Sequence, residues 1–74
     1  MNRVRLISSM MASAGYDPAP RILEIEFATG VVYHYFDVPL DVYQDLLDAD
    51  SQGRFFHTRI RDTFASQRVG ISAQ

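Results

Sequence analysis

The sequence predicts an α+β fold, a three-stranded antiparallel β-meander followed by two amphipathic helices packed on one sheet face (β-β-β-α-α). Three observations support this fold class. Residues 21–27 alternate between apolar and polar side chains, as in a strand with one buried face. Residues 31–36 form a second β-prone run directly after a glycine. From Pro39 onward the apolar residues recur at helical spacing instead.

The first predicted strand covers residues 10–16, with one side formed by Met10, Ala12, Ala14 and Tyr16. A turn with two prolines follows, because proline cannot donate to a strand ladder. The second strand directs Glu24 and Glu26 to one face. Its opposite face is apolar and consists of Leu23, Ile25 and Phe27.

The hairpin between the second and third strands has two possible registers. A three-residue loop ending at a left-handed Gly30 pairs Ile25 with Tyr33 and Leu23 with Tyr35. Both tyrosines then lie on the apolar face that the helices should cover. A two-residue loop instead directs them to the glutamate face. We prefer the first register because it buries more apolar area.

Two helices are predicted after the strands. Pro39 suits the first turn of the first helix, where its missing N–H costs nothing. The apolar face of this helix consists of Val42, Tyr43, Leu46 and Ala49, and a separate acidic stripe consists of Asp41, Asp45 and Asp48. Ser51 is expected to cap the second helix. One side of that helix is formed by Phe56, Ile60, Thr63, Phe64 and Gln67.

Length and composition indicate one small domain. The 74 residues have room for a single core, which we place at residues 9–68, between a lead-in at 1–8 and a disordered tail at 69–74. The absence of cysteine fits a reducing compartment, so we expect a cytoplasmic protein. No run approaches the roughly 20 apolar residues that span a bilayer, so we expect no membrane association.

Several short motifs occur in a distinctive order between about Ser8 and Phe64. They include Gly15-Tyr16-Asp17, Tyr33-His34-Tyr35, Val38-Pro39, Val42-Tyr43, Ser51-Gln52-Gly53 and Phe55-Phe56. This order resembles the KTSC domain family, named for a module at the C-terminus of some lysyl-tRNA synthetases and also found in small bacterial and phage proteins. The Tyr-x-Tyr motif is the family's central mark. The resemblance implies a role in RNA binding. His57 departs from the family pattern, which more often has asparagine there.

A row of arginines provides candidate phosphate contacts. Arg54, Arg61 and Arg68 are seven residues apart, so they would line one flank of the second helix. The predicted nucleic-acid-binding residues are Tyr33, Tyr35, Arg54, His57, Arg61 and Arg68. The open alternative is a solvated helix face, or ion pairs with the acidic stripe. The net charge of −2 also argues against a large nucleic-acid surface.

Little in the sequence supports catalysis. Glu24 and His34 face each other in the preferred register, but such pairs usually stabilise sheets. No glycine-rich phosphate loop or paired metal-ligand motif is present, so we expect no enzyme activity, no metal and no cofactor. The leading hypothesis is a small binding module for tRNA-like or single-stranded RNA. The alternative is a protein-interaction module or homodimer that uses exposed apolar side chains such as Phe36 or Phe55.

Overall fold

The computed structural model describes residues 2–71, which form a five-stranded antiparallel sheet and two short helices. The strands lie in the sheet in chain order, and the helices are inserted between the fourth and fifth strands. The strands are β1 (Arg3–Arg5), β2 (Met11–Asp17), β3 (Ile22–Phe27), β4 (Val31–Tyr35) and β5 (Ser66–Ile71). The helices are α1 (Leu40–Asp48) and α2 (Gln52–Phe55), and α2 continues into a π-helical segment (Phe56–Ile60).

The predicted three-stranded meander followed by two helices is wrong, because the sheet has five strands and the helices precede the last of them. β1 forms within the expected lead-in. β5 crosses the expected end of the domain and includes residues 69–71 of the expected tail, whereas residues 72–74 lie outside the described part of the chain. Both added strands lack a buried face, since all three residues of β1 and five of the six in β5 are exposed.

The β3–β4 hairpin has the register that the sequence favours. Leu23 lies opposite Tyr35, and Ile25 lies opposite Tyr33. Gly30 adopts a φ of +93°, and its N–H donates to the Phe27 carbonyl at 2.8 Å. The tyrosines therefore project from the face that packs against the helices, as predicted.

A bulge in β2 changes which side chains face the core. The pairing with β3 shifts between Met11 and Ser13, so strict alternation is interrupted at that point. Met11 and Ala14 are both fully buried, whereas Ala12 is exposed. The prediction that Ala12 and Ala14 lie on the same side of this strand is therefore wrong.

The helices form close to where the sequence predicts them. α1 follows Pro39, buries Leu46 and stacks Tyr43 on Tyr16 with ring centroids 5.2 Å apart. The Ser51 side chain accepts a hydrogen bond from the Arg54 backbone N–H at 3.2 Å, which confirms the predicted cap.

The π-helical segment ends the second helix earlier than the sequence suggests. The Arg61 N–H donates to the Phe56 carbonyl, five residues back, at 2.9 Å. The Thr58 hydroxyl donates to the Arg54 carbonyl at 3.0 Å, a side-chain bond that commonly disturbs regular helices. Gln67 therefore lies in β5 and not on the helix face predicted for it.

The core lies between the sheet and the helices. Its buried cluster consists of Leu6, Met11, Ala14, Leu23, Ile25, Tyr35, Val38, Leu46, Phe56 and Ile60.

Within residues 2–71, no helix combines the length and apolar character needed to cross a membrane.

Candidate functional site

A cleft of about 430 Å³ opens between the sheet and the end of the second helix. We call it the aromatic cleft, and it is lined by Met10, Phe27, Tyr33, Tyr35, Phe56, His57, Arg61, Asp62 and Ser66. Its volume is at the lower end of the range for small-ligand sites, roughly 300–1,000 Å³. Four of the six predicted site residues line this cleft.

The two tyrosines of the Tyr-x-Tyr motif form the floor of the cleft. They are two residues apart on β4, so both rings project from one face, with centroids 6.3 Å apart and planes at 28°. Tyr35 is only 4% exposed, and the Phe56 ring packs edge-on against it at 5.6 Å. Tyr33 is half-buried, so part of its ring remains accessible.

The Tyr35 hydroxyl stays protonated over the physiological range. Burial, together with the neighbouring Tyr33, raises the pKa of Tyr35 to about 12, although the positive charge of Arg61 opposes the shift. The cleft therefore presents a neutral hydroxyl that can donate a hydrogen bond.

His57 and Arg61 form one rim of the cleft. They lie four residues apart, and Arg61 Nη1 is 3.4 Å from His57 Nδ1. Because a guanidinium only donates, Nδ1 accepts in this contact and the imidazole proton is assigned to Nε2. Among residues 2–71, neither Arg61 nor Arg68 forms an ion pair, so their charges are available to an anionic ligand.

The predicted ridge of three arginines on one helix is wrong. Arg68 belongs to β5, where it lies opposite Tyr33 and projects from the same face of the sheet. Arg54 is in a separate depression of about 280 Å³ that also contains Phe55, with the Arg59 guanidinium 5.5 Å from the Phe55 ring. The site therefore contains Arg61, has Arg68 on the adjoining strand, and excludes Arg54.

Sequence reasoning missed several lining residues. Phe27 packs edge-on against Tyr33 at 5.8 Å, and the alternation of the second strand had already placed it on that face. Ser66 lies opposite Tyr35 on β5, a strand in which no residue is buried. Phe36 and Phe55, proposed as exposed apolar contacts, are both half-buried.

A charged network covers the opposite face of the sheet. His34 Nε2 lies 2.9 Å from Glu24 Oε2, which confirms the expected cross-strand pair. Arg3 on β1 donates to Glu24 at 2.7 Å and to Glu26 at 3.0 Å. Burial alone would raise the pKa of Glu24, but the hydrogen bonds from His34 and Arg3 outweigh it and lower the pKa. This network joins β1, β3 and β4.

Potential metal ligands are not clustered in residues 2–71. In the described part of the chain, no three histidine or carboxylate side chains lie close enough together to hold a metal ion. Among the described residues that line the cleft, His57 and Asp62 are the two of these types.

The family model and the solved structure that match this chain name the same domain family. The sequence model of the KTSC domain matches residues 7–64. The crystal structure of a KTSC domain protein from Yersinia pestis superposes with a TM-score of 0.89 at 39% identity, covering 93% of this chain and 97% of that one. An uncharacterized protein of Stutzerimonas stutzeri is 54% identical over 57 residues, which are 77% of this chain and 80% of that protein.

A lysine–tRNA ligase of a Nostoc species is 36% identical over 61 residues, covering 82% of this chain. This chain spans only 11% of that enzyme, so the similarity concerns one part of it. The family match covers most of the chain and includes the Tyr-x-Tyr strand and the residues of both helices. This chain belongs to the KTSC domain family.

Proposed function

We propose that this KTSC domain is a small, non-catalytic RNA-binding module whose aromatic cleft takes an unpaired base. Arg61 and Arg68 contact the adjoining phosphates. The observation that carries the proposal is the convergence of Tyr33, Tyr35, His57 and Arg61 in one cleft. The lysine–tRNA ligases among the relatives are, by name, enzymes that act on tRNA. A cytoplasmic location, as expected from the lack of cysteine, belongs to the same proposal.

The lining of the cleft fits a nucleobase. Unpaired bases bind proteins by stacking on aromatic side chains, each contributing about 1–3 kcal/mol. The half-buried Tyr33 offers such a surface, and Phe27 packs edge-on against its ring. The neutral Tyr35 hydroxyl can donate to a ring nitrogen or carbonyl of the base.

Electrostatics limits the affinity. The net charge is −2, and Asp62 also lines the cleft. Two arginine–phosphate contacts on a single strand give a log–log salt slope of about −1.4. Affinity should then fall about sevenfold when monovalent salt rises from roughly 50 to 200 mM.

Fluorescence anisotropy with a labelled single-stranded RNA at these two salt concentrations tests the proposal. Arg61→Ala should weaken binding and reduce the salt slope by about 0.7, because one phosphate contact is lost. Arg54→Ala removes the same charge from the same helical region but outside the cleft. This matched control should bind almost as well as the unmodified domain.

Two outcomes would contradict the proposal. One is the absence of binding at the lower salt concentration. The other is an equal loss from Arg54→Ala and Arg61→Ala, which would indicate diffuse attraction rather than a site.

A protein-interaction function is the second candidate, because the edge strand β5 exposes Val69 and Ile71, with Ile71 67% accessible. Analytical ultracentrifugation would then show concentration-dependent self-association that Ile71→Asp abolishes.

A further inference from the structure

A second depression adjoins the aromatic cleft at His57. Its volume is about 420 Å³, close to that of the aromatic cleft. We call it the polar cleft, and the residues that matter for its chemistry are Ile7, Ser8, Ser9, Asp50, Gln52 and Gly53. Met10 and His57 line both depressions, so the two adjoin at these side chains, along the seam between the β1–β2 connection and the second helix. We call the two adjoining clefts together the groove.

We propose that this groove holds two consecutive nucleotides of single-stranded RNA, one base in each cleft. A dinucleotide is then the smallest ligand that occupies the whole site. The proposal rests on the RNA-binding function proposed above and specifies its footprint. It also assigns a binding role to the polar cleft, which the sequence did not indicate.

The polar cleft is suited to a base and unsuited to a phosphate. Among the described residues that line it, none is an arginine, and the carboxylate of Asp50 would repel a phosphate. That carboxylate can accept hydrogen bonds from the exocyclic amino group of adenine or cytosine. Ile7, whose side chain is 90% exposed, supplies an apolar surface at the edge of this cleft.

The wall of the polar cleft is held in place by hydrogen bonds. Gln52 Oε1 accepts from the Ile7 N–H at 2.7 Å, and Gln52 Nε2 donates to the Leu47 carbonyl at 3.2 Å. The Ser8 Oγ accepts from the backbone N–H groups of Met10 and Met11 at 3.1 and 3.4 Å. Within residues 2–71 the Ser8 hydroxyl proton has no acceptor, so it can donate to a ligand. Such a site is preorganised, which reduces the entropic cost of binding.

His57 stands where the two bases would be linked. Its ring is exposed and belongs to the wall that the clefts share. Nδ1 is engaged by Arg61, so Nε2–H is the donor that remains for a ligand. The linking phosphate would therefore pass an imidazole N–H and a guanidinium, while the bases enter the two clefts on either side.

Gly53 provides a selective way to close the polar cleft. A Cβ at this position would lie 3.6 Å from Ser8 Oγ and 3.9 Å from Met10 Cε, which is ordinary van der Waals contact. Gly53→Ala should therefore fit and should favour the helix. A longer side chain in Gly53→Met would enter the space between Ser8 and Met10 and fill the cleft.

The test compares adenosine 5′-monophosphate with 5′-phosphorylated diadenylate and tetraadenylate by isothermal titration calorimetry. Affinity should rise at least about fivefold from the mononucleotide to the dinucleotide, since a second base is bound. It should change little from the dinucleotide to the tetranucleotide. Gly53→Met should remove the step at the second nucleotide, and Gly53→Ala should retain it. Circular dichroism melting of both variants checks that they are folded.

The outcomes separate this inference from the proposed function. Binding that improves steadily with length, or a step at the second nucleotide that survives in folded Gly53→Met, overturns the two-base groove and leaves the RNA-binding function intact. Binding of no adenylate of any length overturns both. A step lost in Gly53→Met, with mononucleotide affinity unchanged, supports the groove.

Discussion

Gln52 connects the N-terminal part of the chain to the helices through a buried amide. The residue is 9% exposed, and its side chain bonds the Ile7 N–H on one side and the Leu47 carbonyl on the other. Gln52→Ala removes both hydrogen bonds at once. It leaves one backbone donor and one backbone acceptor without these partners.

The expected loss of unfolding free energy is about 2 kcal/mol, because each hydrogen bond contributes roughly 0.5–1.5 kcal/mol. At typical values per residue, the whole unfolding free energy of a 74-residue domain is about 4–11 kcal/mol. The loss is therefore a large fraction of it. The melting temperature should fall by roughly 8–16 °C.

Urea unfolding followed by circular dichroism measures this loss as a lower midpoint with an unchanged m-value. Gln44→Ala is the matched control, because Gln44 lies in α1 and is exposed. It has the same gain in helix propensity and should stay within about 0.5 kcal/mol of the unmodified domain. Equal midpoints for Gln52→Ala and Gln44→Ala would refute the reasoning.

Three further predictions concern pH and backbone strain. Because burial raises the pKa of Tyr35 from 10.0 to about 12, the folded state keeps a proton that the unfolded chain loses. Unfolding free energy should therefore fall between pH 10 and 12, and Tyr35→Phe should remove that part of the decline in urea titrations. The pKa of Glu24 is lowered from 4.5, so its contribution is present above pH 4.5 and is lost as the pH falls below it. Acid unfolding of Glu24→Gln should show a weaker pH dependence. Gly30→Ala should cost about 1–3 kcal/mol because φ is +93°, whereas Gly70→Ala, with open space around it, should cost much less in the same assay.

The hairpin and its Tyr-x-Tyr motif were predictable because local rules agreed with each other. Alternation placed Leu23, Ile25 and Phe27 on one face, and Gly30 supplied the positive φ that sets the register. The position of the tyrosines followed from that register. This part of the site could therefore be derived without any knowledge of the rest of the fold.

The edge strands could not be derived in the same way. A strand is recognised in sequence by a buried face, and β1 and β5 have none. They are held by backbone pairing and, in β1, by the ion pairs from Arg3 to Glu24 and Glu26. These interactions depend on tertiary structure, so they produce no periodic pattern of apolar residues in the sequence.

The prediction of an arginine ridge on the second helix was wrong for a related reason. A spacing of seven places residues on one flank only if the helix is regular and continuous. Here the helix changes to π-helical bonding at Phe56 and ends before Arg68, which belongs to β5. Arg61 nevertheless lies beside His57, as predicted, because residues four apart are neighbours on a helix surface.

The π-helical segment also determines where the chain can change length. A π-helical hydrogen bond spans one residue more than an α-helical one, so this turn holds one residue more than a regular α-helix would need. Deleting Thr58 would restore α-helical bonding and keep Phe56 and Ile60 facing the core. A change of one residue in chain length at this turn is therefore compatible with the same fold.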